Sequence, residues 1–476
     1  MKFNYKILGL VVLLFLLQQA CKTNDTKTAS IDPWSKADTI LARIVAPTFP
    51  DKNFSITDYG AKGDSITDCT EAFAKAIAAC NAAGGGKVVV PEGKFSTGPI
   101  HLKSNVNLHI SKGAVVLFSR DTKKYLPQVY TRFEAVELMN YSPLIYAYEQ
   151  ENIAITGEGE LNGQANDENW WFWKGRWGHA GQERPLKEGA PTQKEANERL
   201  KKMAEDGVPV KDRIFGEGDY LRPNFVQPYK CKNVLIEGVT IKESPMWIIH
   251  PVLCENVTIR KVKVISHGPN SDGCDPESCK DVLIEDCLFD TGDDCIAIKS
   301  GRDHDGRRVN VPSENIIVRN CTMKDGHGGV VIGSEISGNV RNVFAENCEM
   351  SSPYLDRALR LKSNSRRGGI IENVFMRNCT VGDVADAVVH VYMFYANETG
   401  DNHPTVRNIQ VKNVTSKKSN YGIYIEAEEE YPVEGITIED CSFENAAKGN
   451  LIKGYKDLKL VNVKINGVEQ TSANSQ

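Results

Sequence analysis

Lys232-Asn-Val-Leu-Ile-Glu-Gly-Val-Thr-Ile241 is followed by Glu255-Asn-Val-Thr-Ile-Arg-Lys-Val-Lys-Val264, Lys280-Asp-Val-Leu-Ile-Glu-Asp-Cys-Leu-Phe289 and Glu314-Asn-Ile-Ile-Val-Arg-Asn-Cys-Thr-Met323. The pattern is a polar pair, a short apolar strand, a polar turn pair and a second short strand. Further copies begin at Arg341, Glu372, Arg407 and Glu434, with a weaker relative at Glu151, so successive starts from Lys232 lie 23, 25, 34, 27, 31, 35 and 27 residues apart. Most of these intervals leave no room for a strand, a full helix and a return, and the apolar positions are β-branched. Val234, Ile236, Val239 and Ile241 share one side, as do Val282, Ile284, Cys287 and Phe289. Coils of this length bury such a face only by stacking on one another, which predicts an all-β, right-handed parallel β-helix with rungs about 4.8 Å apart. A β-propeller would need ~40–50 residues per blade.

The repeat overrides the length. A chain of 476 residues suggests about three domains, whereas stacked coils make one elongated domain, here expected over 52–468 with a polar tail at 469–476. Hydrophobic residues at 41% and charged residues at 25% exclude a disordered chain or a membrane bundle, and a net charge of −5 argues against a general nucleic-acid binder. Thirteen cysteines need another explanation. Cys287, Cys321, Cys348, Cys379 and Cys441 all occupy the eighth position of the pattern, where Val239, Val262 and Val414 stand in other copies. A position that accepts Val or Cys is small and buried, so these are packing thiols, and neither a disulfide framework nor a metal ladder is expected.

Asp68-Cys-Thr-Glu71 reads as a capping box opening a helix with Phe73, Ala76, Ile77 and Cys80 on one face, stopped by Gly84-Gly-Gly86. That helix is expected to plug the N-terminal end of the solenoid. From about 164 to 222 the β pattern lapses into an insertion holding Trp170, Trp171, Trp173 and Trp177 and a helical stretch from Thr192 to Asp206. Most of these tryptophans should pack the insertion onto its host, with a sugar-binding role for at least one. At the start of the chain, Lys2 and Lys6 precede an apolar run, Ile7 to Leu17, too short to span a bilayer. It reads as a secretory signal over 1–20, and Ala20-Cys21 resembles a bacterial lipoprotein cleavage site, despite Gln18 where an aliphatic residue is usual. Residues 21–51 then read as a tether to the cell envelope. Removal of the signal takes the net charge to about −7, since two lysines leave with it.

Three consecutive coils superimpose Asn270-Ser-Asp-Gly-Cys274, Gly292-Asp-Asp-Cys-Ile296 and Gly326-His-Gly-Gly-Val330, and the next supplies Arg360-Leu-Lys362 in register with Ala297-Ile-Lys299. Asp272 is thereby expected beside Asp294, and Asp293 beside His327. A solvated charge ladder would mix its signs, whereas this face sets three carboxylates against two cations across a histidine. Such crowding is tolerated mainly at functional sites. One carboxyl, kept protonated by crowding and burial, can protonate a leaving oxygen while another activates water. Arg360 and Lys362 suit an anionic sugar.

The four segments resemble, in order and spacing, the signatures of glycoside hydrolase family 28, the polygalacturonases, and the likeness runs from Phe54-Ser-Ile-Thr-Asp-Tyr-Gly-Ala-Lys-Gly-Asp64 to about Ile438. Ser271 and Leu361 replace the usual Thr and Ile. The resemblance implies a pectin lyase-like solenoid and inverting hydrolysis of α-1,4-galacturonosidic bonds. Asp293 would be the general acid, Asp272 and Asp294 the pair activating water, and His327 the support of the acid. Arg360, Lys362, Tyr395 (with Tyr392 second) and Asn270 would contact a pectic polysaccharide or oligogalacturonide. It implies no metal or organic cofactor, and a monomer is expected. The insertion and an extra loop, Gly301-Arg-Asp-His-Asp-Gly-Arg-Arg-Val309, resemble features of exo-acting bacterial members, which implies release of galacturonic acid from the non-reducing end. A rhamnogalacturonan-directed α-galacturonidase, a Ca²⁺-dependent lyase and a non-catalytic pectin-binding β-helix are the alternatives.

Overall fold

The computed structural model describes residues 32–179, 181–184, 186 and 188–471. The signal expected at 1–20, Cys21 and the last five residues of the tail lie outside them. The chain winds into a right-handed parallel β-helix whose strands pair rung on rung: 232–237 on 255–260, then 280–285, 313–319, 340–346, 370–383, 405–418, 433–443 and 455–465. The register matches the repeat: Val234, Val257, Val282, Ile316, Val343, Val374 and Ile409 stand in one interior column.

The polar positions of the repeat have a backbone cause. Asn233, Asn256, Asp281, Asn315, Asn342, Asn373 and Asn408, the second residue of each copy, all have φ between 55° and 62°. This left-handed conformation favours Asn and Asp. Their side chains form a ladder, with Asn256 Nδ2 donating to Asn233 Oδ1 at 2.8 Å, Asn315 to Asp281 at 2.9 Å and Asn408 to Asn373 at 2.7 Å. A second left-handed bend at the seventh position (Gly238, Lys261, Asp286, Asn320, Asn347, Asn378) returns the eighth residue to the interior. Cys287, Cys321, Cys348, Cys379 and Cys441 are accordingly buried, and the twelve described cysteines are free thiols.

Helix α1 spans Trp34–Arg43 and corrects the tether reading. Residues at the fourth position of the repeat face outward, and in four successive coils they are Leu283, Ile317, Phe344 and Phe375, an apolar stripe that must be covered. Ala37 and Ile40 of α1 cover it, and Arg43 clasps Asp281 with two hydrogen bonds of 2.8 and 2.6 Å. Helix α2, Thr70–Ala82, plugs the N-terminal end with Phe73, Ala76, Ile77 and Cys80 buried. Its cap differs from the expected box: Asp68 Oδ1 accepts from Thr70 N and Thr70 Oγ1, while Glu71 pairs with Lys75 along the helix. Gly85 ends it at φ 108°, where an added Cβ would lie 2.6 Å from the Asn105 carbonyl oxygen.

One sheet carries the candidate site. It runs through 226–229, 249–252, 274–277, 296–298, 330–333, 357–362, 387–392, 421–426 and 450–453. The insertion contributes a hairpin (Trp177–His179 with Gln182–Arg184) and helix α3, Lys194–Glu205. A hairpin that the repeat analysis missed, Val129–Phe133 with Val136–Asn140, packs against it: Leu138, Leu200, Phe215, Met246 and Trp247 share a second core. The extra loop after the Asp pair is a short helix, α4, Asp303–Val309, tied to the insertion by Arg213 Nη1 donating to Asp305 Oδ1 at 2.9 Å.

Candidate active site

Parallel pairing delivers the expected constellation. Bridges Cys274–Ile296 and Ile296–Val330 put Asp272 level with Asp294, and Asp293 level with His327. The ladder Ala297–Val331–Arg360 and the matching Gly333–Lys362 pair place both cations on the rung after that of His327. One oxygen each from Asp272, Asp293 and Asp294 lie within 4.8 Å of one another.

Each carboxylate has a different environment. Asp294 is fully buried, its Oδ1 accepting from Arg360 Nη1 at 3.2 Å and its Oδ2 from Lys362 Nζ at 2.7 Å. Burial opposes ionisation there, but the two cations outweigh it and hold the carboxyl below its ordinary range. Asp293 Oδ1 lies 2.9 Å from His327 Nδ1 and accepts from Asp294 N at 3.0 Å. Burial again opposes, and the charge and hydrogen bond of His327 bring Asp293 well below the usual range. The same attraction lifts His327 to about 9. Asp272 goes the other way: burial, then the charges of Asp293 and Asp294, push it up to about 7 against the pull of Lys299. Its Oδ1 is buried and accepts no hydrogen bond among the described residues.

This corrects one expectation. Burial and crowding do raise one carboxyl, but that carboxyl is Asp272, while Asp293 forms an ion pair with His327. Histidine on the neighbouring rung supplies a cation where the carboxylates alone would repel.

Several contributors escaped the repeat alignment. Lys299 Nζ sits 3.5 Å from Asp272, 3.6 Å from Asp275 and 3.3 Å from Glu335, over the Trp247 ring at 4.5 Å. Its register with Lys362 was a signal available in the sequence. Asp275 is buried against Asp272, and burial followed by that neighbour pushes it well up. Trp247, Glu335, Arg302 and Arg367 come from segments without a repeat signature.

Of the expected binding residues, Tyr395 faces the site, its ring centroid 5.7 Å from the Arg360 guanidinium carbon and 5.0 Å from Lys362 Nζ. Tyr392 points into an aromatic cluster with Phe394 and Tyr424 instead. Asn270 lines the pocket with its Oδ1 accepting from Arg222 Nη2 at 2.8 Å; the buried Arg222 also donates to the Pro245 and Pro269 carbonyls. Gly326 permits His327 its position: an added Cβ would lie 2.5 Å from the Asp293 carbonyl oxygen, at φ 149°.

Asn270, Asp272, Asp293, Lys299, Lys362 and Tyr395 line a cavity of about 280 Å³, below the ~300–1,000 Å³ of most small-molecule pockets. Its far walls are Lys174, Asn197 and Lys201 of the insertion, Glu134 of the missed hairpin, Arg302 of the extra loop and Glu398. The four insertion tryptophans are absent from this lining. Trp170 and Trp173 are buried in the core, and Trp171 donates to the Ser244 carbonyl at 2.8 Å and meets Trp177 edge-on. The pocket's tryptophan is Trp247. The cavity can take an anionic sugar terminus, with the Asp272 and Asp293 carboxyls on one wall and His327 paired with Asp293. The three carboxylates could also hold a cation, but Lys299, Arg360, Lys362 and His327 already balance their charge.

The comparisons agree with the geometry. Residues 216–468, more than half of the chain, match the model of glycosyl hydrolases family 28, and residues 53–109 match rhamnogalacturonase A/epimerase, pectate lyase-like. An exo-poly-alpha-D-galacturonosidase of Dickeya chrysanthemi is 28% identical, aligned over 88% of this chain and 68% of its own. A probable polygalacturonase of Vitis vinifera is 27% identical over 84% and 75%. The crystal structure of a hyperthermoactive exopolygalacturonase from Thermotoga maritima superimposes with a TM-score of 0.88 at 49% identity, over 92% of this chain and 97% of that one. The extent of the family match and this 49% identity together establish that the chain belongs to glycosyl hydrolase family 28.

Proposed function

We propose that the protein hydrolyses α-1,4-galacturonosidic bonds of polygalacturonate and oligogalacturonides from the non-reducing end, releasing galacturonic acid. The observation that carries this reading is the pocket of about 280 Å³, walled by the insertion and the extra loop, whose lining holds Asp272, Asp293 and Lys362. The walls from the insertion and the extra loop leave room for a chain end and block a chain that would run through. The identity with the Thermotoga exopolygalacturonase supports the same mode.

In this mechanism Asp293 and His327 share the proton delivered to the leaving oxygen. His327 stores it at neutral pH, and Asp293 passes it on as the glycosidic bond lengthens. Asp272 and Asp294 direct the attacking water, Asp272 through its unengaged Oδ1. Both Asp294 oxygens are occupied by Arg360 and Lys362, which leaves the raised carboxyl of Asp272 as the base once it is deprotonated. Direct attack by water with inversion at the anomeric centre is what the resemblance to the family implies, although the carboxylates lie closer than the ~6.5–9.5 Å of most inverting pairs. Arg360, Lys362 and Tyr395 receive the galacturonate ring and its carboxylate, and Lys299 holds Asp272 in place. A calcium-dependent elimination would require the cation to displace four positive groups from these carboxylates. We also propose export with lipid attachment at Cys21, testable by fatty-acid labelling of the intact chain and its Cys21→Ser variant.

Product analysis on polygalacturonate against rhamnogalacturonan fragments tests the substrate. Galacturonic acid from the former alone supports the reading, and release from rhamnogalacturonan alone replaces it.

A further inference from the structure

A second cluster lies on the outer lip of the site, among residues the mechanism does not use. His179 ends the first strand of the insertion hairpin, His267 follows the strand Lys263–Ser266, and Asp325 and Asp290 lie on the next two coils. His179 Nε2 is 3.7 Å and His267 Nε2 3.9 Å from the same oxygen, Oδ2 of Asp325. One donor atom from each of the three lies within 4.8 Å of the others. Asp290 Oδ1 adds a fourth, 2.7 Å from His267 Nε2. The two imidazoles face each other with centroids 4.8 Å apart and planes 32° apart.

We propose that His179, His267 and Asp325, with Asp290 as a fourth donor, bind one divalent transition-metal ion such as Zn²⁺, outside the catalytic pocket. Two ligands at zinc bond lengths are separated by about 3.3 Å in a tetrahedron. The 3.7 and 3.9 Å separations therefore need to contract by only a few tenths of an ångström. Two imidazoles and carboxylates suit zinc, manganese or iron, whereas calcium and magnesium prefer all-oxygen sets. The carboxylate is also oriented as a ligand should be: the Ser352 hydroxyl donates to Oδ1 of Asp325, leaving Oδ2 towards the histidines. Binding displaces the proton held between His267 and Asp290 and turns that hydrogen bond into a pair of metal ligands. Because His179 belongs to the insertion and the others to the solenoid, the ion would pin the insertion to the rungs beside His327.

The test is calorimetric titration of the full chain, stripped with a chelator and dialysed, with zinc chloride, and thermal melting with and without zinc. Wild type should bind one ion saturably and melt at a higher temperature with zinc. His179→Ala and His267→Gln, the latter keeping a polar group opposite Asp290, should bind at least tenfold more weakly and lose the shift while matching the wild-type melting temperature without metal. Asp293→Asn should bind as wild type does. No saturable binding, binding unchanged in both histidine variants, or binding lost only in Asp293→Asn would overturn the proposal; the last would move the ion to the catalytic carboxylates.

Discussion

Replacing Asp293 by Asn separates the two carboxyl roles. The amide keeps the shape and can still accept from Asp294 N, now at 3.0 Å, but it has no proton to deliver and no charge to hold against His327. A general acid contributes roughly 10²–10⁴-fold, so kcat on trigalacturonate should fall by that factor, about 3–5 kcal/mol of barrier. KM should change little, because the cations that face the sugar remain. The sharper readout is the leaving group. With an activated galacturonide, such as the dinitrophenyl glycoside, departure needs no proton and the deficit of Asp293→Asn should shrink to within about tenfold. Asp272→Asn, which removes the base, should lose the same factor on both substrates. Initial rates for the two variants on the two substrates complete the comparison. The converse pattern, recovery by Asp272→Asn and none by Asp293→Asn, would refute the assignment and make Asp272 the acid, as its raised pKa would suggest on its own.

Asp272, held up to about 7 in the fold against ~3.9 when unfolded, binds its proton more tightly when folded. Its contribution to stability is full below about pH 4 and is lost as pH rises to about 7, so Asp272→Asn should flatten the decline in urea-melt stability between about pH 4 and 7. Deprotonation of the same group should set the acid limb of kcat/KM. Tyr395→Ala, which removes the ring beside Arg360 and Lys362, should raise KM about tenfold on digalacturonate with a smaller change in kcat, read by steady-state kinetics. Cys321→Val should cost under ~1.5 kcal/mol in urea melts and Cys321→Ser ~1–3 kcal/mol, since the column buries a methyl better than an unpaired hydroxyl. Proton NMR of the first product should show the β-anomer of galacturonic acid; initial α-anomer would exclude inversion.

Much of the fold was legible because the coil repeats its backbone demands. Asn and Asp recur where φ is positive, and Val or Cys recurs where a small side chain points inward, so Lys232 to Glu434 could be stacked correctly by eye. The same register brought Asp272, Asp293, Asp294, His327, Arg360 and Lys362 together. Residues outside the repeat had no such constraint. Helix α1 read as a tether because its partner, the outward stripe from Leu283 to Phe375, is defined only across four coils. Trp247, Glu335 and Arg302 reach the pocket from connections whose paths depend on the insertion. The proton order also resisted sequence reading: which of three adjacent carboxyls keeps its proton depends on His327, Lys299 and Lys362 at particular distances.

The most direct test is hydrolysis of a reducing-end-labelled hexagalacturonate, sampled before one tenth is consumed. Exo-hydrolysis at this site should give unlabelled galacturonic acid and labelled pentamer alone, with no new ultraviolet absorbance and with at least a hundredfold loss in Asp293→Asn. Labelled dimers to tetramers at the earliest times, or unsaturated products, would contradict it.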